Sequence, residues 1–398
     1  MTTAPDVAIV GVGATDYYKR GRSWPRTIPD LAGEAIINAC DEAGLSVTDI
    51  DGFAYYSGAG AGYVDKMDTA EFMETLGIPE VTFTAALTAG GGGAAGSIGL
   101  ARAAILAGDA NVVVTVMALQ QNPHSRLGAV GAAAAPNPTN SFLQPAGLAG
   151  PGHSMSVLTR RHMHDYGTRR EAFAEIAVSQ RQNALNRPKA IFKDQPITTE
   201  DYFDARMIAE PLCLLDFCLE TDGAIAVITT SLERARDLKQ KPVPVIAAAH
   251  GGSRDWGRAF GWFGMPQETF ASSGHAPVAQ HLYRRAGVGP EDIDVALLYD
   301  HFSPMVLMQL EDYGFCKKGE GGPFVESGAI RYRGGSLPVN THGGQLSEAY
   351  IIGMTHIKEG IEQMRGTAIN QVQGAELALC TGGPAHIPVS GLILGKAL

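Results

Sequence analysis

Apolar positions in this chain come in short runs separated by glycine-rich breaks. Residues 7–13, VAIVGVG, are continuously apolar and end at a glycine turn, the pattern of a strand buried on both faces. Residues 29–43 carry apolar side chains at helical spacing and predict an amphipathic helix, and GFAYY at 52–56 predicts a second strand. Thr88 and Ala89 lead into four glycines, Gly90 to Gly93, and then a run of small residues over 94–101. That run predicts a central helix approached closely by other backbone. Residues 110–117, ANVVVTVM, predict another buried strand. The rhythm then changes. Residues 119–205 hold Pro123, Pro136, Pro138, Pro145 and Pro151 and a basic, helix-prone stretch over 160–193, and they read as a large insertion between core elements. Strands resume over 224–230 and, after a charged connection at 234–242, from Val243.

One sequence pattern occurs twice. Ala43, Gly44, Asp49, Ile50, Asp51 and Tyr56 recur as Ala286, Gly287, Asp292, Ile293, Asp294 and Tyr299, at a constant offset of 243 residues and without a gap. Both copies end a helix and start a strand. The chain therefore reads as α/β, with two similar βαβ halves: 1–242, carrying the insertion, and 243–398. A length of 398 residues suits two fused halves better than one ordinary core. The same letters are also a common way to end a helix, and that reading stays open.

Composition narrows the partners. The net charge of −10 excludes a phosphate-backbone binder, which needs a basic face, but leaves room for a small anion such as coenzyme A on a local patch. The five scattered cysteines, Cys40, Cys213, Cys218, Cys316 and Cys380, give no disulfide framework and no metal pair. A reducing cytoplasm, no metal, no membrane span and no secretory signal are the expectations. The GVG at 11–13 lacks the rest of a dinucleotide-binding fingerprint.

In α/β folds, ligands gather at the carboxyl ends of strands and at helix N-termini. Four segments fall at such places: residues 90–97, 298–303, 340–350 and 380–383. They comprise the glycine run, Tyr299-Asp300-His301-Phe302, Asn340-Thr341-His342-Gly343-Gly344 and Cys380-Thr381-Gly382-Gly383. This order resembles the layout of thiolases. Tyr350 falls where that family has its catalytic histidine, and Tyr299 to Phe302 match its second-half polar motif. No cysteine stands near Ala95 or Gly96, where the thiolase nucleophile is expected. The runs 298–304, 340–350, 220–224 and 235–243 further resemble the lipid-transfer-protein-type steroid side-chain-cleaving aldolases.

The resemblance implies a thiolase fold, layered αβαβα around two central mixed sheets. It implies retro-aldol cleavage of a steroid β-hydroxyacyl-CoA to a steroid ketone and a short acyl-CoA such as propionyl-CoA. It also implies a homodimer and a small OB-fold partner protein, with no cofactor beyond the coenzyme A of the substrate. Tyr299 and Tyr350 are the expected proton-transfer groups, with Asp300, His301 and His342 beside them. Ala95, Gly96, Gly382, Gly383 and Cys380 are expected around the thioester. Residue type alone equally suits Tyr299 as a core tyrosine, Asp300 as the N-cap of the helix after Phe302, and Cys380 as an inert core residue. Tyr350 is expected at the start of a helix. The apolar strand over 110–117 is expected at the dimer interface, and the basic stretch over 160–193 is expected to meet phosphates or to be a solvated helix face. The rival functions are a thiolase-like condensing enzyme and a non-catalytic acyl-CoA- or lipid-binding subunit.

Overall fold

Successive side chains along the central strands enter different cores. Ile9 packs into one cluster while Ala8 and Val10 pack into another, and Val295 and Leu297 separate from Ala296 and Leu298 in the same way. This two-sided burial is why the strands read as unbroken apolar runs. The computed structural model describes residues 6–56, 68–87, 90–124, 143–148, 150–252, 270–383 and 388–398. Thr88, Ala89, Pro136 and Pro138 lie outside the described residues.

The strands are β1 (Val7–Ala14), β2 (Tyr18–Lys19), β3 (Gly52–Tyr56), β4 (Phe83–Leu87), β5 (Val112–Leu119), β6 (Met207–Ala209), β7 (Leu212–Cys213), β8 (Thr221–Ser231), β9 (Val243–Gly251), β10 (Val295–Leu297), β11 (Leu377–Gly382) and β12 (Val389–Gly395). Their main order is β10-β11-β12-β9-β1-β8-β5-β3-β4. The half β3-β5-β8-β1 repeats as β10-β11-β12-β9, with the first pair parallel and the next two antiparallel in each. The two expected sheets are thus joined, but only by a narrow bridge, Ala8 with Pro244 and Ile9 with Val243.

The duplication extends to atoms. Helix α1 (Ile28–Ala43) ends at Gly44 with φ 76°, and its counterpart α8 (Ala276–Ala286) ends at Gly287 with φ 71°. This left-handed cap is cheap only for glycine. Asp51 then accepts the backbone N–H groups of Asn111 and Val112, and Asp294 accepts those of Glu376 and Leu377. Each aspartate ties the entry of one strand to the entry of its parallel neighbour. The repeated aspartates therefore set the parallel register, beyond ending a helix.

Between β5 and β8 lie α4 (Pro151–Tyr166), α5 (Arg170–Ala184) and α6 (Thr199–Asp204), the expected insertion. Helix α2 (Thr69–Leu76) packs on α1, and α7 (Leu232–Ala235) follows β8. The second half adds α9 (Ser303–Asp312), α10 (Gly321–Glu326), α11 (Gly344–Ser347) and α12 (Met354–Arg365). Helix α3 (Gly93–Ala107) touches β3, β5 and β8 of one half-sheet and β9, β11 and β12 of the other, and α12 also meets both. With α1 outside one half-sheet and α8 outside the other, the layers are αβαβα. Strand β5 lies between β3 and β8, paired on both sides, so it offers no edge for a dimer. The apolar run over 110–117 reflects central burial instead. Among the described residues the sheet ends at β10, which bridges to Val339, and at β4, which pairs with β3 alone.

Candidate active site

The start of α3 is built from residues without side chains because three other segments converge on it. A Cβ on Gly91 would stand 2.3 Å from Cζ and 2.4 Å from Oη of Tyr299. A Cβ on Gly382 would stand 2.5 Å from the carbonyl oxygen of Gly91 and 3.4 Å from Ala94 Cβ. A Cβ on Gly353 would reach Ala94 Cβ at 3.0 Å and the Tyr299 ring at 3.2 Å. The Tyr299 phenol, Ala94 and the backbone of Gly91, Gly353 and Gly382 thus meet at one junction. Replacing Gly91 by Ala is expected to push the phenol aside and lower turnover about tenfold, since misplacement near 1 Å is costly to a reacting group. Unchanged kcat would show that the contact does not position Tyr299.

The residue pattern fixes Tyr299 through its backbone. Asn340 adopts φ 46°, and its amide accepts from Leu298 N at 2.7 Å and donates to Leu298 O at 2.9 Å. Tyr299 N donates to Thr381 Oγ1 at 2.8 Å, its carbonyl accepts from Gln309 Nε2 at 2.7 Å, and Thr381 in turn donates to Gln309 at 2.6 Å. All three polar side chains are fully buried. Gln309 was missed because it stands in no motif; Asn340 and Thr381 were visible in the N-x-x-G-G and C-x-G-G runs, but their roles were not.

Asp300 does not cap the helix that follows it. The residue before α9 is Phe302, without a side-chain cap, while Ser303 Oγ donates to Asp216. The Asp300 carboxylate instead accepts Gln345 N at 2.9 Å and Leu346 N at 3.2 Å, at the start of α11. Gly344 has φ 63°, and a Cβ there would fall 2.0 Å from Asp300 Oδ2, which explains this glycine. Asp300 Oδ1 also lies 3.0 Å from Nε2 of His356, a fully buried histidine that no sequence motif marked. The His301 ring lies 5.2 Å from Tyr299 between centroids, and the His356 ring 6.2 Å. His342 stands edge-on to His356 at 4.8 Å, and burial, reinforced by His356, pushes its pKa well below the usual value.

Tyr350 does not begin a helix. Its backbone exchanges two bonds with Thr221 Oγ1, both at 2.9 Å, in the bend between α11 and α12. The helix starts only at Met354, because Ile352 has φ 44°, its carbonyl accepts from Tyr56 Oη at 2.6 Å, and Gly353 N is drawn to Gln345 Oε1 at 2.9 Å. The Tyr350 ring shares the central core with Ala94 and Ala95. Gly96 faces the His250 ring, its would-be Cβ 3.0 Å away. Gly383 follows with φ 145°, and the Gly382 carbonyl lies 3.3 Å from Nε2 of His275, whose pKa burial pushes down to about 4. Cys380 is buried against Gly360 and the His356 carbonyl; burial pushes its thiol up, so it is a neutral core residue.

The basic stretch over 160–193 divides between ion pairs at the surface and buried contacts. Arg160 pairs with Glu210, Arg169 with Glu326, and Arg181 lies over Phe192 and bonds Ser347. Buried Arg187 sits 2.8 Å from Glu348, 2.9 Å from Glu359 and 3.4 Å from Glu362. Lys189 and Lys193 stay exposed and rim, with Lys19 and Arg22, a groove of about 480 Å³. Among the described residues no group of acidic, histidine or cysteine side chains is arranged to hold a metal, and no helix is long and apolar enough to cross a membrane.

Residues 264–394 match a family model described as thiolase C-terminal domain-like. The chain is 44% identical over 394 residues to the 17-hydroxy-3-oxo-4-pregnene-20-carboxyl-CoA lyase of Mycobacterium tuberculosis, covering 98% of each. It is 39% identical over 407 residues to the steroid side-chain-cleaving aldolase of Thermomonospora curvata, covering 99% of each. Among solved structures it is similar to the Ltp2-ChsH2(DUF35) aldolase, with TM-score 0.89, 38% identity and coverage of 100% of this chain and 99% of that one. A thiolase-type junction without a thiol, and relatives of this likeness over the whole length, lead to one conclusion: the chain belongs to the family of steroid side-chain-cleaving aldolases, carbon–carbon lyases built on the thiolase fold.

Proposed function

We propose that this chain cleaves the side chain of a steroid β-hydroxyacyl-CoA by a retro-aldol step, releasing a steroid ketone and a short acyl-CoA such as propionyl-CoA. The observation that carries the reading is the Tyr299 phenol at the start of α3, against Gly91 and beside Ala94, with the nearby thiols of Cys218 and Cys380 both kept neutral by burial. Without a thiolate there is no acyl-enzyme route, and the phenol at the same junction is the group left to move a proton.

In this reading one tyrosine takes the proton of the β-hydroxyl as the carbonyl forms. The α–β bond breaks and its electron pair becomes the thioester enolate, which the second tyrosine protonates at the α carbon. Backbone N–H groups near Ala95 and Gly96 and at Gly382 and Gly383 are proposed donors to the enolate oxygen, each worth about 10²–10³ in rate. A tyrosine base, with an ordinary pKa near 10, needs a neighbour that favours phenolate, and His301 is the proposed one. His342 stands farther off, behind His356. No cofactor is proposed beyond the coenzyme A of the substrate. The test is incubation with a steroid β-hydroxyacyl-CoA, with and without a partner protein. Ketone and short acyl-CoA should appear together in equal amounts; failure to form either under both conditions rejects the reading.

A small OB-fold partner belongs to the proposal, supported by the second protein named in the solved relative. So do a cytoplasmic setting and a homodimer. Among the described residues strand β4 pairs only with β3, and it exposes Thr84 and Ala86, so we assign the dimer seam to this edge. A lysine is a common blunt for an open edge. Ala86→Lys is therefore expected to convert dimer to monomer in light scattering, and an unchanged dimer mass would move the seam elsewhere.

A further inference from the structure

We infer that Asp300 and His356 form a positioning dyad for Tyr299, in which the carboxylate fixes an imidazole and the imidazole fixes the phenol. The inference rests on the proton-transfer role proposed for Tyr299. Asp300 follows Tyr299 directly, yet its carboxylate turns away, held by the amides of Gln345 and Leu346. It cannot shift to follow a moving partner. What remains of its acceptor capacity faces His356 Nε2 at 3.0 Å, with both residues fully buried. The nitrogen that faces a carboxylate must carry the imidazole proton, which leaves Nδ1 toward Thr355 Oγ1 at 3.4 Å. The charge contact sets the tautomer, and edge-on packing against His342 at 4.8 Å between centroids holds the ring plane.

That ring plane lies 25° from the Tyr299 ring, with 6.2 Å between centroids. His301 closes a second side at 52°, Gly353 a third and Gly91 the front. The Tyr299 ring is therefore flanked on several sides. The arrangement also acts electrostatically. A buried carboxylate next in sequence to a tyrosine would oppose phenolate if its charge were left open. Two amides bind it, and the His356 imidazole stands 3.0 Å away as a close charge contact. His342 behind His356 adds no competing charge, because burial and His356 itself hold it neutral. Among the described residues, titratable groups near this cluster include His301, the Cys218 thiol, on which Asp300 acts, the Cys380 thiol, packed at the His356 carbonyl and acted on by Glu359, and Arg187 and Lys358, which act on His342.

The experiment is a set of substitutions in the full chain, with its partner protein where activity requires one, read as kcat, KM and the alkaline limb of the pH–kcat profile. Asp300→Asn keeps the size but frees the imidazole tautomer, and His356→Phe keeps a ring but loses the N–H. Each is expected to lower kcat at least about tenfold with KM within about threefold, as for misoriented catalytic groups. The limbs should move in opposite directions: to lower pH for Asp300→Asn, which removes a negative charge, and to higher pH for His356→Phe, which uncovers one. His356→Gln, whose amide N–H still reaches toward Asp300, should recover part of the loss. In a Tyr299→Phe background neither substitution should lower kcat more than about twofold further, since groups acting through one residue are non-additive. Unmoved limbs, or full losses that persist on top of Tyr299→Phe, would overturn the dyad. A Tyr299→Phe enzyme as active as the parent would instead remove the role of Tyr299, and the dyad with it.

Discussion

Replacing Tyr299 or Tyr350 by phenylalanine is expected to lower turnover by about 10²–10⁴-fold, the usual worth of a positioned proton-transfer group. The fold should survive, because the backbone of each residue is anchored by other side chains. Tyr299 is held by Thr381, Gln309 and, one residue before, Asn340; Tyr350 is held by Thr221. Phenylalanine keeps the ring that fills the space between Gly91 and Gly353. The loss should fall on kcat more than on KM, since proton transfer matters only on the way to the transition state. Cys380→Ala is the control. Its thiol is neutral and packed against Gly360, so removing sulfur should leave kcat near the parent value and cost about 1 kcal/mol of stability as a small core void. An inactive Cys380→Ala beside two active phenylalanine variants would defeat the retro-aldol assignment.

The contrast between these residues shows which parts of the protein could be read from its sequence. The duplicated halves were legible because Asp51 and Asp294 perform the same local job, bridging two parallel strand entries, and local jobs leave local letters. Tyr299 and Tyr350 were singled out by resemblance alone, Tyr299 by the polar run that follows it and Tyr350 by standing at the place of the thiolase histidine. The edge strand was not legible. An apolar run predicts burial, and β5 is buried, but periodicity cannot say whether neighbours or a second protomer supply that burial. The partners β3 and β8 come from positions about 60 residues before and 110 after β5, and no local pattern encodes them. His356 was invisible for a related reason. Its meaning comes from Asp300, 56 residues earlier, and a histidine two residues into a helix looks like any other.

The same separation explains the basic stretch, and it leads to the second large effect. Arg187 looked like surface charge, yet it is the cation that lets Glu348 and Glu359 be buried. Burial alone would lower its pKa, but Glu348, Glu359 and Glu362 hold it above the ordinary arginine value. On the acidic side, burial keeps Glu348 above the usual carboxylate range, while Glu359, despite burial, is held below it by Arg187. Arg187→Met removes the charge and keeps most of the volume. Two carboxylates are then left in the core, and the expected cost is about 3–5 kcal/mol.

The pH dependence gives the argument its sign. In Arg187→Met both carboxylates should have folded-state pKa values raised above their unfolded values. The folded state then binds more protons than the unfolded one, and stability falls as pH rises. The gap to the parent protein should therefore be small near pH 5 and large near pH 8, where unfolded carboxylates are fully ionised. Adding Glu348→Gln and Glu359→Gln should recover part of the loss and flatten this slope. Activity should fall with stability, because Glu348 lies two residues before Tyr350 and its carbonyl accepts Ile191 N at 2.9 Å, so the turn after Arg187 clamps the segment that carries the tyrosine. Urea unfolding of the three proteins at both pH values decides it. A penalty that is the same at both, or that grows toward acid, would mean that the buried carboxylates are not what Arg187 supports.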